Sequence, residues 1–280
     1  MIDRRLGHRS IVVGLAIVAT LAIVAVLAPW LAPNDPTLVE PVSGFAGPSA
    51  AHLLGTDNLG RDTLSRLLFG ARWSLGLVFV ATLLVMSVGA AVGLAAGYFG
   101  GLLDDVLMRV VDTLLSVPSL LLALAIVGML GPGIGSLMIG LAAIWWAGYA
   151  RVVRGLVLAL RERGFVDAAR ALGASHARIV VRQVVPSILP AVAVLASLEM
   201  GELVLAISGL SFLGLGAQPP TPEWGAMLND SRTFFFTAPQ LMLYPGLAIS
   251  IAVLGFNLLG DGLRDVLDPA DASRLKGLGR

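Results

Sequence analysis

Six blocks of this sequence, 11–31, 73–97, 106–130, 134–150, 191–213 and 241–259, are apolar for too long to be core helices of a soluble domain. A helix crossing bilayer hydrocarbon needs about 20 mainly apolar residues, and each block is of that order. The chain is therefore predicted to be all-α: a polytopic integral membrane protein with six transmembrane helices. Composition agrees, since 57% of the 280 residues are hydrophobic and 13% charged, whereas soluble domains carry roughly 25% charged residues. With a mean hydropathy of +0.88, a soluble globular fold is excluded. Arg4, Arg5 and Arg9 precede the first block in the manner of a signal peptide. Its apolar run exceeds the roughly 7–15 residues of such a segment, so it is read as a retained span.

Six spans put both termini on one side, and basic residues beside spans mark the cytoplasmic face. With the N-terminus inside, fifteen Arg and Lys fall on inside segments and four (Arg61, Arg66, Arg72 and Arg232) outside. The expected organisation is a cytoplasmic N-terminus at 1–10, a transmembrane domain at 11–265 and a cytoplasmic tail at 266–280. Two hydrophilic segments are long enough to do more than connect. The inside one, 151–190, holds seven arginines. The outside one, 216–239, carries Pro219, Pro220, Pro222, Trp224 and Phe234 to Phe236, which predicts an ordered, non-helical cap with aromatic anchors at the interface.

Soluble chemistries find little support. The net charge of +1 offers no bulk attraction for nucleic acid, and the chain has no Cys. Its single lysine, Lys276, is followed by Gly277, so no phosphate-binding Walker A loop exists. His8, His52 and His176 lack metal-ligand spacing. No catalytic residue, cofactor or metal is expected.

Within the spans, Gly89, Gly93 and Gly97 recur every four residues and line one helix face, where a neighbouring backbone can approach closely. Packing is the favoured reading and a transport hinge the alternative. Glu199 and Glu202, three apart, share a face of the fifth span, and Glu199 lies about 12 Å along that span at 1.5 Å per residue. Carboxylates so deep face a water-filled cavity or a partner group, which makes them candidates for a translocation path, with fixed helix packing as the other reading. Arg109 and Asp112, also three apart, read as a local ion pair.

The inside segment carries the strongest pattern. Asp167-Ala168-Ala169 is followed by Gly173 and then by Val185-Pro186. This predicts a helix through 165–172, a break at Gly173, and a second helix from Ser175 that ends before Pro186. Phe165, Ala168, Ala169 and Leu172 fall on one face, small in the middle and bulky at the ends, a shape suited to entering a groove on another protein. An amphipathic pair resting on anionic lipid is the alternative.

This pattern resembles the conserved loop of ABC-importer inner-membrane permeases: Glu-Ala-Ala, three residues, Gly, nine residues, Ile, one residue, Leu-Pro. The chain matches at Ala168, Ala169, Gly173 and Pro186, and carries Asp167 for Glu, Gln183 for Ile and Val185 for Leu at unchanged spacing. Further strings are similar to the dipeptide, oligopeptide and nickel branch, in its C-type subunit. They are Leu54-Gly55-Thr56-Asp57-Asn58-Leu59-Gly60-Arg61-Asp62, Leu210-Ser211-Phe212-Leu213-Gly214-Leu215-Gly216, Pro222-Glu223-Trp224-Gly225, Phe256-Asn257-Leu258-Leu259-Gly260-Asp261-Gly262-Leu263-Arg264-Asp265 and Asp268-Pro269.

The resemblance implies a permease subunit of the bacterial or archaeal plasma membrane that imports peptides or nickel. Residues of about 160–186 would couple it to a cytoplasmic ATPase through Phe165, Asp167, Ala168, Ala169, Leu172, Gly173 and Pro186. Its implied partners are a homologous second permease, two ATPases that bind the ATP, an extracytoplasmic solute-binding protein and membrane lipid. A stand-alone secondary transporter or channel using Glu199 and Glu202 as an ion site remains the competing reading.

Overall fold

The computed structural model describes residues 2–267. Expectations for 268–280, the end of the tail and the Asp268-Pro269 string, lie outside the described residues, as do the side chains of Phe165 and Asp167. Among the described residues, five helical stretches are long and apolar enough to cross a membrane, and a pair of helices bent at a short break passes the same test together, giving six where the pair is one span.

Helix α1 (Ile2–Leu31) is followed by a loop and then α2 (Thr63–Phe99). At 37 residues α2 is about 55 Å long, which is more than the hydrocarbon needs. Its start is set by Asp62, whose carboxylate accepts the Ser65 N–H at 2.8 Å, an N-cap that satisfies one orphan donor of the first turn.

The third block departs from a single spanning helix. It is split into α3 (Gly101–Leu115) and α4 (Ser119–Leu130), which meet at 84°. Pro118 stands at the N-cap of α4. It lacks an N–H and pushes Val117 away from the α region, so an unbroken helix cannot pass. The fourth block is α5 (Ile134–Ile144) and α6 (Trp146–Arg161), together one apolar stretch that runs well past Ala150.

The inside segment folds as α7 (Gly164–Ala171) and α8 (His176–Ile179), the latter capped by Ser175. The expected stop before Pro186 does not occur. A π turn over Val180–Val184 leads directly into α9 (Val185–Phe212), with Pro186 in its first turn. Proline is tolerated in a first turn, and the wide π turn just before it takes up the change in hydrogen bonding. The 216–239 cap differs from expectation too, because it contains a helix, α10 (Trp224–Ser231). Pro219, Pro220 and Pro222 precede it, Pro239 follows it, and Glu223 caps it. Helix α11 (Gln240–Leu267) closes the chain.

Packing pairs α2 with α6, α1 with α11, and α11 with α9. One apolar cluster joins Leu77, Val78, Leu137, Leu141, Leu203, Ile207, Trp224 and Phe256. A second gathers Tyr98, Val153, Val157, Val166, Ala169, Ile179 and Val184 at the end of the bundle where α2 and α6 finish. Outward side chains such as Phe79, Leu83 and Leu102 are exposed and apolar, as a surface solvated by lipid or by another subunit requires.

Candidate translocation cavity and docking segment

A cavity of about 340 Å³ opens where the α3–α4 break, the α5–α6 junction and the middle of α9 converge. The break supplies Leu115 and Ser119. The junction supplies Trp145, Gly148 and Tyr149, and α9 contributes Leu195, Leu198, Glu199 and Glu202. The α9 residues recur at three- and four-residue steps, so one helix face lines the cavity. Glu202 is exposed and Glu199 half-buried. Glu199 Oε1 is shielded from solvent, and the Tyr149 hydroxyl, which donates to the Leu195 carbonyl at 3.3 Å, also lies beside the Glu199 carboxylate. The arrangement sets two carboxylates into a wall that is mainly apolar and aromatic, with Ser119 and Tyr149 as its other polar side chains.

Gly89, Gly93 and Gly97 are buried against α6, which runs parallel to α2 at this contact. A Cβ on them would lie 2.5 Å from Tyr149 Cβ, 2.6 Å from the Ala150 carbonyl oxygen and 2.8 Å from Val157 Cβ, respectively. No side chain fits, so the two backbones lock at this distance. Tyr149 thus stands between the glycine seam and the cavity. Asp104 takes Arg154 in a two-point pair at 2.5 and 2.6 Å. Asp112 pairs with Arg151 of α6, which corrects the expected local pairing with Arg109: the partner lies on a neighbouring helix rather than one turn away.

In the docking segment the expected single face divides. Ala169 is 9% exposed and packs inward with Val166 and Ile179, whereas Leu172 is 87% exposed and Ala168 is exposed. Gly173 has φ +78°, a left-handed value that costs any residue with a Cβ. The Ala174 N–H reaches back to the Ala169 carbonyl at 3.1 Å, the helix-ending bond that such a glycine permits. Pro186 lies in α9 beyond the π turn, away from the break.

At the opposite end of the bundle lies a polar network that sequence reasoning missed. Asp57 accepts Arg61 Nε at 2.6 Å, and both Arg61 and Arg66 reach Asp230 at 3.3 Å. Arg61 and Arg66 are each buried to within a few per cent. Glu223, with no exposed surface, accepts from the Ser74 hydroxyl and from the Gly225 and Ala226 N–H groups at 2.9–3.0 Å. The Trp224 indole N–H donates to the Leu67 carbonyl at 3.1 Å. The local signal in the sequence is the four-residue spacing of Arg61 from Asp57; Arg66, nine residues from Asp57, and Asp230, far along the chain, join it only through the fold.

Two comparisons place this architecture. The fold is that of an ABC-importer permease: it aligns with a chain of the inward-facing MetNI methionine ABC transporter with a TM-score of 0.59 at 21% identity, covering 73% of this chain and 98% of that one. Residues 89–270 match the family described as binding-protein-dependent transport system inner membrane component, and residues 4–48 the N-terminal TM domain of oligopeptide transport permease C.

The chain belongs to this family of permease subunits, in the peptide and nickel class of ABC importers. It is 45% identical over 260 residues to the nickel transport system permease protein NikC of Escherichia coli, covering 93% of this chain and 94% of the relative. Against the dipeptide transport system permease protein DppC of Alkalihalophilus pseudofirmus the identity is 43% over 262 residues, with 94% and 86% covered. Against the glutathione transport system permease protein GsiD of Pectobacterium atrosepticum it is 42% over 263 residues, with 94% and 87% covered. Membership decides between an importer subunit and the stand-alone carrier in favour of the importer, and makes the chain a multi-pass inner-membrane component.

Proposed function

We propose that this subunit forms half of a path that carries a peptide or a nickel species across the inner membrane and meets it through a cationic group, the peptide's amino terminus or the metal. A homologous second permease completes the path. A solute-binding protein delivers at the end bearing the Asp57–Asp230 network, and ATP hydrolysis falls to two ATPases docked at the other end, on α7. Both termini then lie in the cytoplasm, an orientation that the fifteen-to-four distribution of basic residues supports. In this reading Ala168 and Leu172 meet the ATPase groove together with Phe165 and Asp167 of the same helix. Ala169, Gly173 and Pro186 set the shape and attachment of the segment.

One observation carries the proposal: Glu199 and Glu202 line a single cavity at the α3–α4 break. Carboxylates at that depth are retained where they meet a cation or a water-filled path. The test is a Glu199→Gln/Glu202→Gln double variant in the assembled importer, with uptake of radioactive Ni²⁺ and of a labelled dipeptide measured in cells. Gln keeps shape and hydrogen-bonding capacity and removes charge. A hydrogen bond to a charged group contributes about 1.5–3 kcal/mol, so uptake at low solute concentration should fall roughly tenfold or more while the complex assembles normally. Parental uptake of every solute the complex carries would retire the path and return the two carboxylates to packing.

A further inference from the structure

Besides the apolar cluster in which Val166, Ala169 and Ile179 pack against Tyr98, Val153 and Val157, three specific ties hold the docking segment to the bundle, two of them covalent. Glu162 and Arg163 join α7 to α6, and α8 runs through the π turn into α9, the helix bearing Glu199 and Glu202. The third tie is a side-chain hydrogen bond. Tyr98, in the last turn of α2 and 4% exposed, places its hydroxyl 2.9 Å from Nδ1 of His176, the first residue of α8. Their rings meet edge to face with centroids 5.7 Å apart, and Phe99 lies against the same imidazole at 6.3 Å. Arg161, at the end of α6, donates to the Tyr98 carbonyl at 3.4 Å. The Tyr98 ring also packs in one cluster with Val166, Ala169 and Ile179.

This bond sits at a mechanically distinctive place. Tyr98 follows Gly97, the last of the three glycines whose contact with α6 leaves no room for a Cβ, so α2 and α6 move together or not at all. The covalent links alone would carry a displacement of α7 into α6 and α9. They would not fix α8 to the end of α2, because the π turn is a wider, less regular stretch of helix.

The geometry points to Tyr98 and His176 as the joint that makes the docking segment and the α2–α6 pair move as one body. Both are positioning residues, since neither touches the cavity. The inference rests on the reading of Gly164–Ala171 as the ATPase-docking helix. It adds that a displacement imposed there reaches the cavity wall from two sides, through α9 and through the Tyr149 edge of α6.

This chain has no native Cys, so with partner subunits whose own cysteines are replaced the test is direct. Spin labels at Ser87→Cys on α2 and Arg178→Cys, just after His176, report the α2–α8 distance by electron–electron resonance. The sample is the assembled importer in lipid nanodiscs, with and without ATP and vanadate. The parent should show one narrow distance in both states. Tyr98→Phe removes the hydroxyl and keeps the ring, and His176→Ala removes its partner. Each should raise the population of a second, longer distance roughly two- to tenfold, the effect of losing one hydrogen bond. His176→Asn, whose amide oxygen can accept where Nδ1 does, should restore the narrow distribution, which loss of bulk packing would not. An unchanged distribution in Tyr98→Phe overturns the joint. ATPase retention by a Leu172→Asp variant at parental yield overturns instead the docking reading beneath it.

Discussion

Glu223 shows what a single buried side chain decides here. Its carboxylate caps α10 through two N–H groups and also holds the Ser74 hydroxyl on α2, so it joins two helices that lie about 150 residues apart in sequence. Glu223→Ala would leave those donors without an acceptor in a site with no exposed surface, a loss of about 1–3 kcal/mol. The expected result is a clearly lowered melting temperature of the purified subunit, with Glu223→Gln recovering part of it because its amide oxygen still accepts. Equal melting of Glu223→Ala and parent would show that water replaces the carboxylate. Glu199 is the opposite case, since its carboxylate borders open space beside the Tyr149 hydroxyl. Two glutamates of the same chain thus differ in environment, one fully hydrogen-bonded and the other lining a cavity, and the proposed path is assigned to the second.

Elements meet through surfaces that differ in kind. The α2–α6 seam is backbone against backbone, and Gly93→Leu must push against Val153 and the Ala150 carbonyl. Overpacking of this sort costs about 1–3 kcal/mol, so the variant should insert but melt lower and assemble in reduced yield. Gly76→Leu, at an open position on the same helix, should behave like the parent. The surface at the end of α7 is instead open, with Leu172, in the turn that follows the helix, projecting beyond the bundle. Leu172→Asp should leave melting unchanged and reduce ATPase co-purification roughly tenfold, the effect expected of about 1.4 kcal/mol at a contact. Full ATPase recovery with Leu172→Asp would move the docking surface elsewhere. The division of the expected face between Ala169, turned inward, and Leu172, turned outward, is what separates these two kinds of variant.

For the molecule as a whole, orientation is the property with the widest consequences, because it determines which end meets ATPase and which meets solute. The Asp57–Asp230 network and the α7–α8 segment lie at opposite ends of the bundle, so one labelling experiment reads both. Single cysteines at Thr221 and Arg178, probed with an impermeant thiol reagent in intact cells, should react at 221 and not at 178. The reverse pattern would invert the topology and the assignment of both ends. The strings that carried the family resemblance gain a physical role at this scale. Leu54 to Asp62 and Pro222 to Gly225 are far apart in sequence, yet Arg61 meets Asp230 in α10, and Trp224 packs over Gly70 in the first part of α2.

The apolar blocks, their number and the basic residues between them were legible directly, because lipid solvates each span separately and burial in it depends on the composition of that span alone. The glycine repeat, the shared face of Glu199 and Glu202, and the break at Gly173 were legible for a similar reason: helical spacing and a left-handed glycine are local properties. The 84° break at Pro118 was also written in the sequence, since proline and the residue before it obstruct a helix wherever they occur, but the apolar count ran over it. Three features were decided by tertiary structure alone. Asp112 takes Arg151 rather than Arg109, the helix continues through Pro186 by way of a π turn, and Ala169 faces inward while Leu172 faces out. Each depends on which neighbouring helix supplies a partner or a surface, and spacing along one helix says which residues share a face but not what that face will meet.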